Sequence, residues 1–271
     1  MSAGGASELR ARLQGLGLRR AGETLRAAPG LALECEALDA VLGGGLGFGA
    51  HELAPVEPGD GAAAFGFALC LLSRALAWRG ARAEGLIVQA AAPAGEGGEL
   101  YGPGLKALGL DPDRLAVSTL RTAAEALRVA DEALRSGAVA GVVLEAGATK
   151  AMDLALTRRF NLSAEQTESL VFLVVEDLDA TSAALTRWRV GPGASDRSLG
   201  RRARLAPPRL APPRFDLALM RNRRGPLGAW RVEWSHAARS FQTLDLVQPA
   251  AAAPVPAPVA APADRRRRAA G

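Results

Sequence analysis

The chain has 271 residues, of which 49% are hydrophobic but only 4% aromatic, and its formal net charge is +5 at pH 7. This length predicts one α/β domain with flanking segments, and no uninterrupted apolar run reaches the roughly 18 residues of a membrane-spanning helix. Cys35 and Cys70 have neither a disulfide-framework nor a zinc-ligand spacing, and the N-terminus lacks the apolar segment of a secretory signal. We therefore expect a cytoplasmic protein without a structural metal.

The first predicted elements lead up to a turn rich in proline and glycine. Residues 1–28 are predicted to form an N-terminal helical segment, with a basic helix over 7–25 that docks on the core or on a partner. Leu38, Val41 and Leu42 share one helical face, and three glycines at 43–45 end that helix. An apolar strand then begins at Gly49.

A long helix is predicted after that turn, followed by regular alternation of strands and helices. Its apolar face is formed by residues at helical spacing: Phe65, Leu69, Leu72 and Leu76. The next strands are predicted over 85–89, 115–118, 139–145 and 170–176, and the helices over 100–108, 122–136 and 152–168. Alternation of this kind predicts βαβ units and a mostly parallel sheet flanked by helices.

The pattern changes after Asp179. A short helix over 181–185 and a strand over 186–190 are followed by a Gly/Pro/Arg-rich loop at 191–214. Two strands with alternating apolar residues, over 215–220 and 229–234, then predict an antiparallel addition at the C-terminal side of the sheet. The predicted core thus spans 29–247, and the Ala/Pro/Arg-rich residues 248–271 predict a disordered tail.

The turn at 55–63 has the layout of a phosphate-binding loop, in which backbone N–H groups at a helix N-terminus hold phosphates. It has no lysine for the phosphates and no serine or threonine for Mg²⁺, and Glu57 and Asp60 would repel a triphosphate. We therefore interpret this loop as degenerate, with no functional nucleotide-binding residue, catalytic residue or cofactor predicted. Its central residues are Pro58, Gly59, Asp60, Gly61 and Ala62.

Positive charge is concentrated at the C-terminal side, where 17 arginines and five acidic residues follow Thr186. This distribution indicates contact with phosphate backbones or an acidic partner, or alternatively a solvated rim and tail. Because no aromatic side chains are interleaved for base stacking, any nucleic-acid binding in the loop should be non-specific and salt-dependent. The candidate contacts for nucleic acid or a partner are Arg201, Arg202, Arg204, Arg209 and Arg214.

The segment LECEALDAVLGGGLGFGAHEL at 33–53 resembles the segment that leads into the phosphate loop of RecA, and the similarity continues over roughly 31–236. Within the RecA superfamily, TRWRV at 186–190 and LMRNRRGPLGAWRVEW at 219–234 resemble the ImuA family. That resemblance implies a RecA-like fold and an adaptor in SOS-induced mutagenic translesion synthesis, associated with the nucleoid after DNA damage. The implied partners are an ImuB-like polymerase-related protein, an error-prone C-family polymerase complex and RecA itself.

The chain departs from the pattern of an active recombinase at several positions. After Gln89, where a recombinase carries a water-activating glutamate, the sequence continues with alanines. Glu145 occupies the second acidic strand position and is interpreted as a sheet-end carboxylate rather than a remnant of a Mg²⁺ site. The loops at 146–152 and 177–180 are too short to wrap single-stranded DNA as a recombinase filament does. The resemblance therefore implies a protein without ATPase activity.

Two other functions stay open from the sequence. One is a cell-division inhibitor of the SulA type, another RecA-like protein without a nucleotide site. The other is a residual RecA-type ATPase that binds single-stranded DNA, since motif-based arguments can miss an active site. For individual residues, we expect Trp188, Trp230 and Trp234 to pack on the core and His51 to be a structural polar residue.

Overall fold

The structure is a computed structural model, which describes residues 30–90, 100–145, 152–194 and 212–246. The described residues form an α/β fold with helices on both faces of a nine-stranded mixed sheet. The strands are β1 (Gly30–Leu31), β2 (Leu46–Gly47), β3 (Gly49–Pro55), β4 (Glu84–Ala90), β5 (Leu115–Leu120), β6 (Val139–Glu145), β7 (Leu170–Val174), β8 (Thr186–Pro192), β9 (Arg214–Asn222), β10 (Gly228–Ser235) and β11 (Ser240–Leu246). The helices are α1 (Glu36–Val41), α2 (Gly61–Arg79), α3 (Gly102–Ala107), α4 (Ala123–Ser136) and α5 (Leu154–Thr167).

The sheet has the strand order β11-β10-β9-β8-β3-β7-β6-β4-β5. The six strands from β8 to β5 in this order are parallel to one another. On the other side of β8, each neighbouring pair is antiparallel: β8 with β9, β9 with β10, and β10 with β11. β1 and β2 form a separate two-stranded antiparallel sheet. This arrangement confirms the predicted mostly parallel sheet with an antiparallel C-terminal addition.

The central strands are apolar because helices cover them on both faces. Every residue of β3 and β7 is buried, as parallel strands between two helical layers require. α2 covers one face of the sheet, and α4 and α5 cover the other. Alternate residues of β3 therefore enter different cores, with Leu53 on the α2 side and Ala50 on the side of α4 and α5.

α2 is buried on more sides than its sequence pattern predicts. Besides most of the predicted apolar face, Phe67, Ala68, Cys70 and Leu71 are also buried. The helix lies between the sheet and the segment around β1, where the Arg74 guanidinium donates to the carbonyl of Ala32 (2.8 Å). By length and composition alone, the helix Pro58–Arg79 (mean hydropathy 1.5) could also cross a membrane, although 56% of its most apolar window is buried inside the fold.

The antiparallel strands have one apolar and one charged face. Trp188, Trp230 and Trp234 are buried on the side that packs against α2, which confirms their predicted packing role. On the opposite side, directly facing residues of β9 and β10 form ion pairs, including Arg231 with Asp216 (2.6 Å). Such cross-strand pairs are the usual stabilising unit of an antiparallel sheet.

Two predicted features differ from the observed structure. The segment 181–185 is not helical, because side chains of α5 engage its backbone: Thr157 Oγ1 accepts from the N–H of Ala183, and Asn161 donates to the carbonyl of Ala183. The strand β11, which the sequence analysis did not identify, extends the addition from two strands to three, β9, β10 and β11. The predicted segments 1–28 and 248–271 lie outside the described residues.

Candidate functional site

The turn that resembles a phosphate loop joins β3 to α2 at the carboxyl end of a central parallel strand. In open α/β sheets, ligands bind at this edge. The turn contains a short 3₁₀ helix, Pro58–Asp60, that runs directly into α2 at Gly61. Pro58, Gly59 and Ala62 are exposed to solvent, while Asp60 and Gly61 are partly exposed. The predicted loop therefore has the expected position at the edge of the sheet.

Two backbone donors of the turn are satisfied within the turn itself. Glu57 N–H donates to Asp60 Oδ2 (3.1 Å), and the N–H of Asp60 donates to the backbone carbonyl of Glu57 (2.9 Å). These two N–H groups are therefore already paired and are not free to bind a phosphate. The two carboxylates also place negative charge at the start of α2, where an anionic ligand would have to approach.

Gln89 and Glu145 meet at the same edge of the sheet, at the ends of the neighbouring strands β4 and β6. The two residues are paired in register, and Gln89 Nε2 donates to Glu145 Oε2 (2.7 Å). Glu145 is thus held by an amide from the next strand, a contact expected for a sheet-end carboxylate. Among the described residues, no group of three or more His, Cys, Asp or Glu side chains is placed to hold a metal ion.

The predicted arginine contacts are only partly within the described residues. Arg201, Arg202, Arg204 and Arg209 lie outside them. Arg214 begins β9, where its Nε donates to Glu233 Oε2 on β10 (2.7 Å) and its Nη1 donates to the carbonyl of Ala194 (3.2 Å). Its charge is therefore compensated by a cross-strand carboxylate.

His51 is a buried link between β3, β8 and β2. Trp188 Nε1 donates to Thr186 Oγ1 (2.7 Å), which lies 2.7 Å from His51 Nδ1, and His51 Nε2 lies 2.9 Å from the carbonyl of Gly47. Since a carbonyl only accepts, Nε2 carries the proton and Nδ1 accepts from the threonine hydroxyl. Burial lowers the pKa of His51 to about 4, a shift that the bond to Gly47 opposes and the charge of Arg224 reinforces.

We expect His51 to make the fold sensitive to acid. Its pKa lies below the ordinary histidine value of 6.5, so the unfolded chain binds a proton first as the pH falls. The stability that neutral His51 contributes is fully present above pH 6.5 and is lost towards pH 4, by about 3 kcal/mol. Urea unfolding at pH 7 and pH 4 should show this loss in the wild type and in His236→Gln, an exposed control, but not in His51→Gln. Equal losses of unfolding free energy in all three proteins would show that His51 does not cause the acid sensitivity.

The sequence analysis did not group three arginines that lie near one another beside α5. Arg158 lies on the outer side of α5, and Arg221 and Arg223 lie at the end of β9 and just after it. Burial lowers the pKa of Arg223, and the positive charges of Arg221 and Arg158 lower it further. The run RNRR at 221–224 was the available sequence signal, but it does not reveal that Arg158 lies beside it.

The candidate site residues lie in two places. The turn between β3 and α2 and the Gln89–Glu145 pair lie along one edge of the sheet, whereas the three arginines lie beside α5. Comparison with models of known protein families and with curated proteins found no match to this chain.

Proposed function

We propose that the chain is a non-catalytic adaptor with a RecA-like fold, which acts in SOS-induced mutagenic translesion synthesis. In this role it recruits or bridges an ImuB-type partner and an error-prone C-family polymerase, and it also engages RecA. It does so by presenting protein surfaces rather than by hydrolysing ATP.

The described fold is compatible with the RecA-like part of this proposal. A strand, a tight turn and a long helix occupy the centre of a mostly parallel sheet, and antiparallel strands extend the sheet from β8. This is the arrangement that the resemblance to RecA implies for the core. Fold alone does not specify function, so the remaining support comes from particular residues.

The observation that carries the non-catalytic part is the hydrogen-bonded turn that precedes α2. The N–H groups of Glu57 and Asp60 are both satisfied within this turn, at the position where a phosphate loop would hold its ligand. Alanines at 62 and 63 supply neither a cation nor a hydroxyl for a phosphate and its Mg²⁺. Phosphoryl transfer depends on such groups for positioning and charge stabilisation.

The segments that resemble ImuA are neighbours in the fold. The segment 186–190 lies in β8, and the segment 219–234 covers the end of β9 and most of β10. β8 pairs with β9 and β9 pairs with β10, so both segments belong to one continuous antiparallel unit. The resemblance is thus concentrated in a single structural unit rather than scattered over the chain.

The proposal predicts partner binding that does not depend on nucleotide. The full chain, mixed with a purified ImuB-type protein, should elute as a complex in size-exclusion chromatography with light scattering, both with and without Mg-ATP. Calorimetry with Mg-ATP should give a Kd weaker than about 1 mM, because no residue of the turn compensates the phosphate charge. No association in any nucleotide state would contradict the adaptor function. Micromolar binding of Mg-ATP would instead favour a residual ATPase.

A further inference from the structure

The outer side of α5 carries an exposed row of two leucines with an arginine between them, and none of the three packs in the core. Leu154, Arg158 and Leu162 are spaced four residues apart and therefore lie along one side of the helix. The side chains that anchor α5 to the sheet, including Phe160, lie on the opposite side. Leu154 is 45% exposed and Leu162 is 57% exposed, and both line an open depression on the surface of α5.

Three guanidinium groups lie at or beside this row. Arg158 belongs to the row, and Arg221 and Arg223 bind the backbone of Ser182 and Leu185, in the segment whose Ala183 is hydrogen-bonded to α5. Within the described residues, no ion pair joins Arg158, Arg221 or Arg223 to a carboxylate, and Arg221 donates instead to the carbonyl of Ser182 (2.7 Å). Asp153 also lines the depression, but its carboxylate caps α5 by accepting from the N–H of Leu156. Like charges held near one another repel and create a positive potential that attracts anions.

The neighbouring Arg159, unlike Arg158, is paired with a carboxylate. Arg159 follows Arg158 in the chain but points to α4, where its Nε lies 3.1 Å from Asp131 Oδ1. Asp131 also pairs with Arg135 (3.0 Å), so the nearby buried carboxylate is already shared by two arginines. Arg158, in contrast, forms no ion pair with any carboxylate of the described residues.

The three longer segments of this chain that lie outside the described residues have the wrong charge to occupy this surface. Residues 1–29 carry five arginines and two glutamates, residues 195–211 carry five arginines and one aspartate, and residues 247–271 carry four arginines and one aspartate. All three segments are basic and would be repelled by the guanidinium groups. The segment 91–99 carries two glutamates but only alanine, proline and glycine besides, so it offers no large apolar side chain for the two leucines.

The combination of leucines and arginines also distinguishes a peptide from a nucleic acid. Phosphate backbones would pair with the arginines but would leave the leucines in contact with water. Single-stranded nucleic acids bind strongly where aromatic side chains stack on bases. The large exposed aromatic side chains of the described residues, Trp78 and Tyr101, lie at the end of α2 and just before α3, not on α5.

We propose that this surface, formed by Leu154, Arg158 and Leu162 of α5 with Arg221 and Arg223 of β9 and its end, docks an acidic peptide segment of a partner protein that carries leucine-type side chains. The arginines pair with its carboxylates, and the two leucines contact its apolar residues. The inference deepens the proposed adaptor function, on which it rests, by assigning a partner surface and the chemistry of its ligand.

The test measures fluorescence anisotropy of a labelled peptide of about 15 residues, in which leucines recur every three or four positions between aspartates and glutamates. The full chain should bind this peptide, and a peptide with serine in place of each leucine should bind about tenfold more weakly. The double variant Arg158→Glu/Arg223→Glu should lose affinity by about tenfold or more, and Leu154→Ser/Leu162→Ser by about tenfold. All replaced side chains are exposed, and urea unfolding confirms that each variant is folded.

The matched control is Arg121→Glu, which reverses an exposed charge at the turn after β5. β5 lies six strands from β9 in the sheet, roughly 30 Å away, so this variant should bind the peptide within about twofold of the wild type. A 15-nucleotide single-stranded DNA is the second probe. Tighter binding of this DNA than of the peptide, with no effect of the leucine variant, would overturn the proposal, as would no peptide binding by the wild type.

The same variants separate this inference from the adaptor function. If the double arginine variant loses the peptide but still forms the complex with the ImuB-type protein, the adaptor function stands and the partner binds elsewhere, which overturns the inference. If the wild type binds the peptide but no ImuB-type protein, the surface stands and the proposed pathway fails.

Discussion

Replacement of Arg187 by methionine should lower the free energy of unfolding by about 3–5 kcal/mol. Arg187 on β8 faces Glu52 on β3, and Arg187 Nε lies 2.5 Å from Glu52 Oε2. The carboxylate side chain is only 5% exposed, so removal of the guanidinium leaves a buried negative charge without its partner. The pair joins β3 to β8, the parallel strand on which the antiparallel strands are added.

Two further variants test whether burial causes this loss. Arg231→Met removes a cation from a pair with Asp216 whose side chains are 32% and 34% exposed, and it should cost only about 0–1 kcal/mol, because solvent screens such pairs. The double variant Arg187→Met/Glu52→Leu should regain most of the lost stability, since apolar replacement of both partners removes the buried charge. Urea unfolding at pH 7 measures all three. Equal losses for Arg187→Met and Arg231→Met would contradict the assigned effect of burial.

Replacement of Phe67 by alanine should also lower the free energy of unfolding by about 3–5 kcal/mol. Phe67 is fully buried on α2, and its ring centroid lies 5.3–6.2 Å from those of Trp188, Phe215 and Phe241. These aromatic residues come from the three strands β8, β9 and β11. The smaller side chain therefore removes the ring contacts between α2 and these strands and leaves a cavity.

Phe65 on the same helix provides the matched control. It is only partly buried against the core, so Phe65→Ala should cost less than half as much as Phe67→Ala. Tryptophan fluorescence during urea unfolding reports both effects, because Trp188 contacts Phe67 directly. Similar losses for the two variants would show that the aromatic contacts of Phe67 contribute little beyond ordinary burial.

The parts of the fold that local signals define could be predicted from the sequence. α4 is an example: Thr122 and Glu125 exchange hydrogen bonds with each other's backbone at its start, and Gly137 ends it with φ of 67°. Its bounds were predicted almost to the residue because both signals lie within one turn of the helix ends. The same reasoning located the turn between β3 and α2.

Features that depend on distant contacts could not be predicted. His51 meets Thr186 across 135 residues, and no periodicity encodes that pairing. The helix expected at 181–185 does not form because α5 side chains bind its backbone, a competition visible only in three dimensions. β11 was missed because its alternation is weak, with Phe241 buried but Leu244 exposed.

Some features of the candidate site could likewise be predicted from the sequence, and others depend on contacts between distant residues. The absence of a lysine and a hydroxyl from the turn could be recognised from residue types alone, but the hydrogen bonds between Glu57 and Asp60 depend on its geometry. The arginines at 221 and 223 were visible as a run, whereas their proximity to Arg158 arises because α5 packs on β3 and binds the segment 182–185, which also holds Arg221 and Arg223. Charge counted along a chain does not predict which charges are paired, as Arg214 and Glu233 illustrate.

The enclosure of α2 limits how the molecule can respond to a ligand. A shift of this helix by one turn, about 5.4 Å, would withdraw Phe67 from its ring contacts and separate Arg74 from Ala32. Switching proteins need an element with two arrangements of similar free energy, and a shifted α2 would lose these ring contacts and this hydrogen bond. We therefore expect a group that binds at its N-terminus to leave the helix in place.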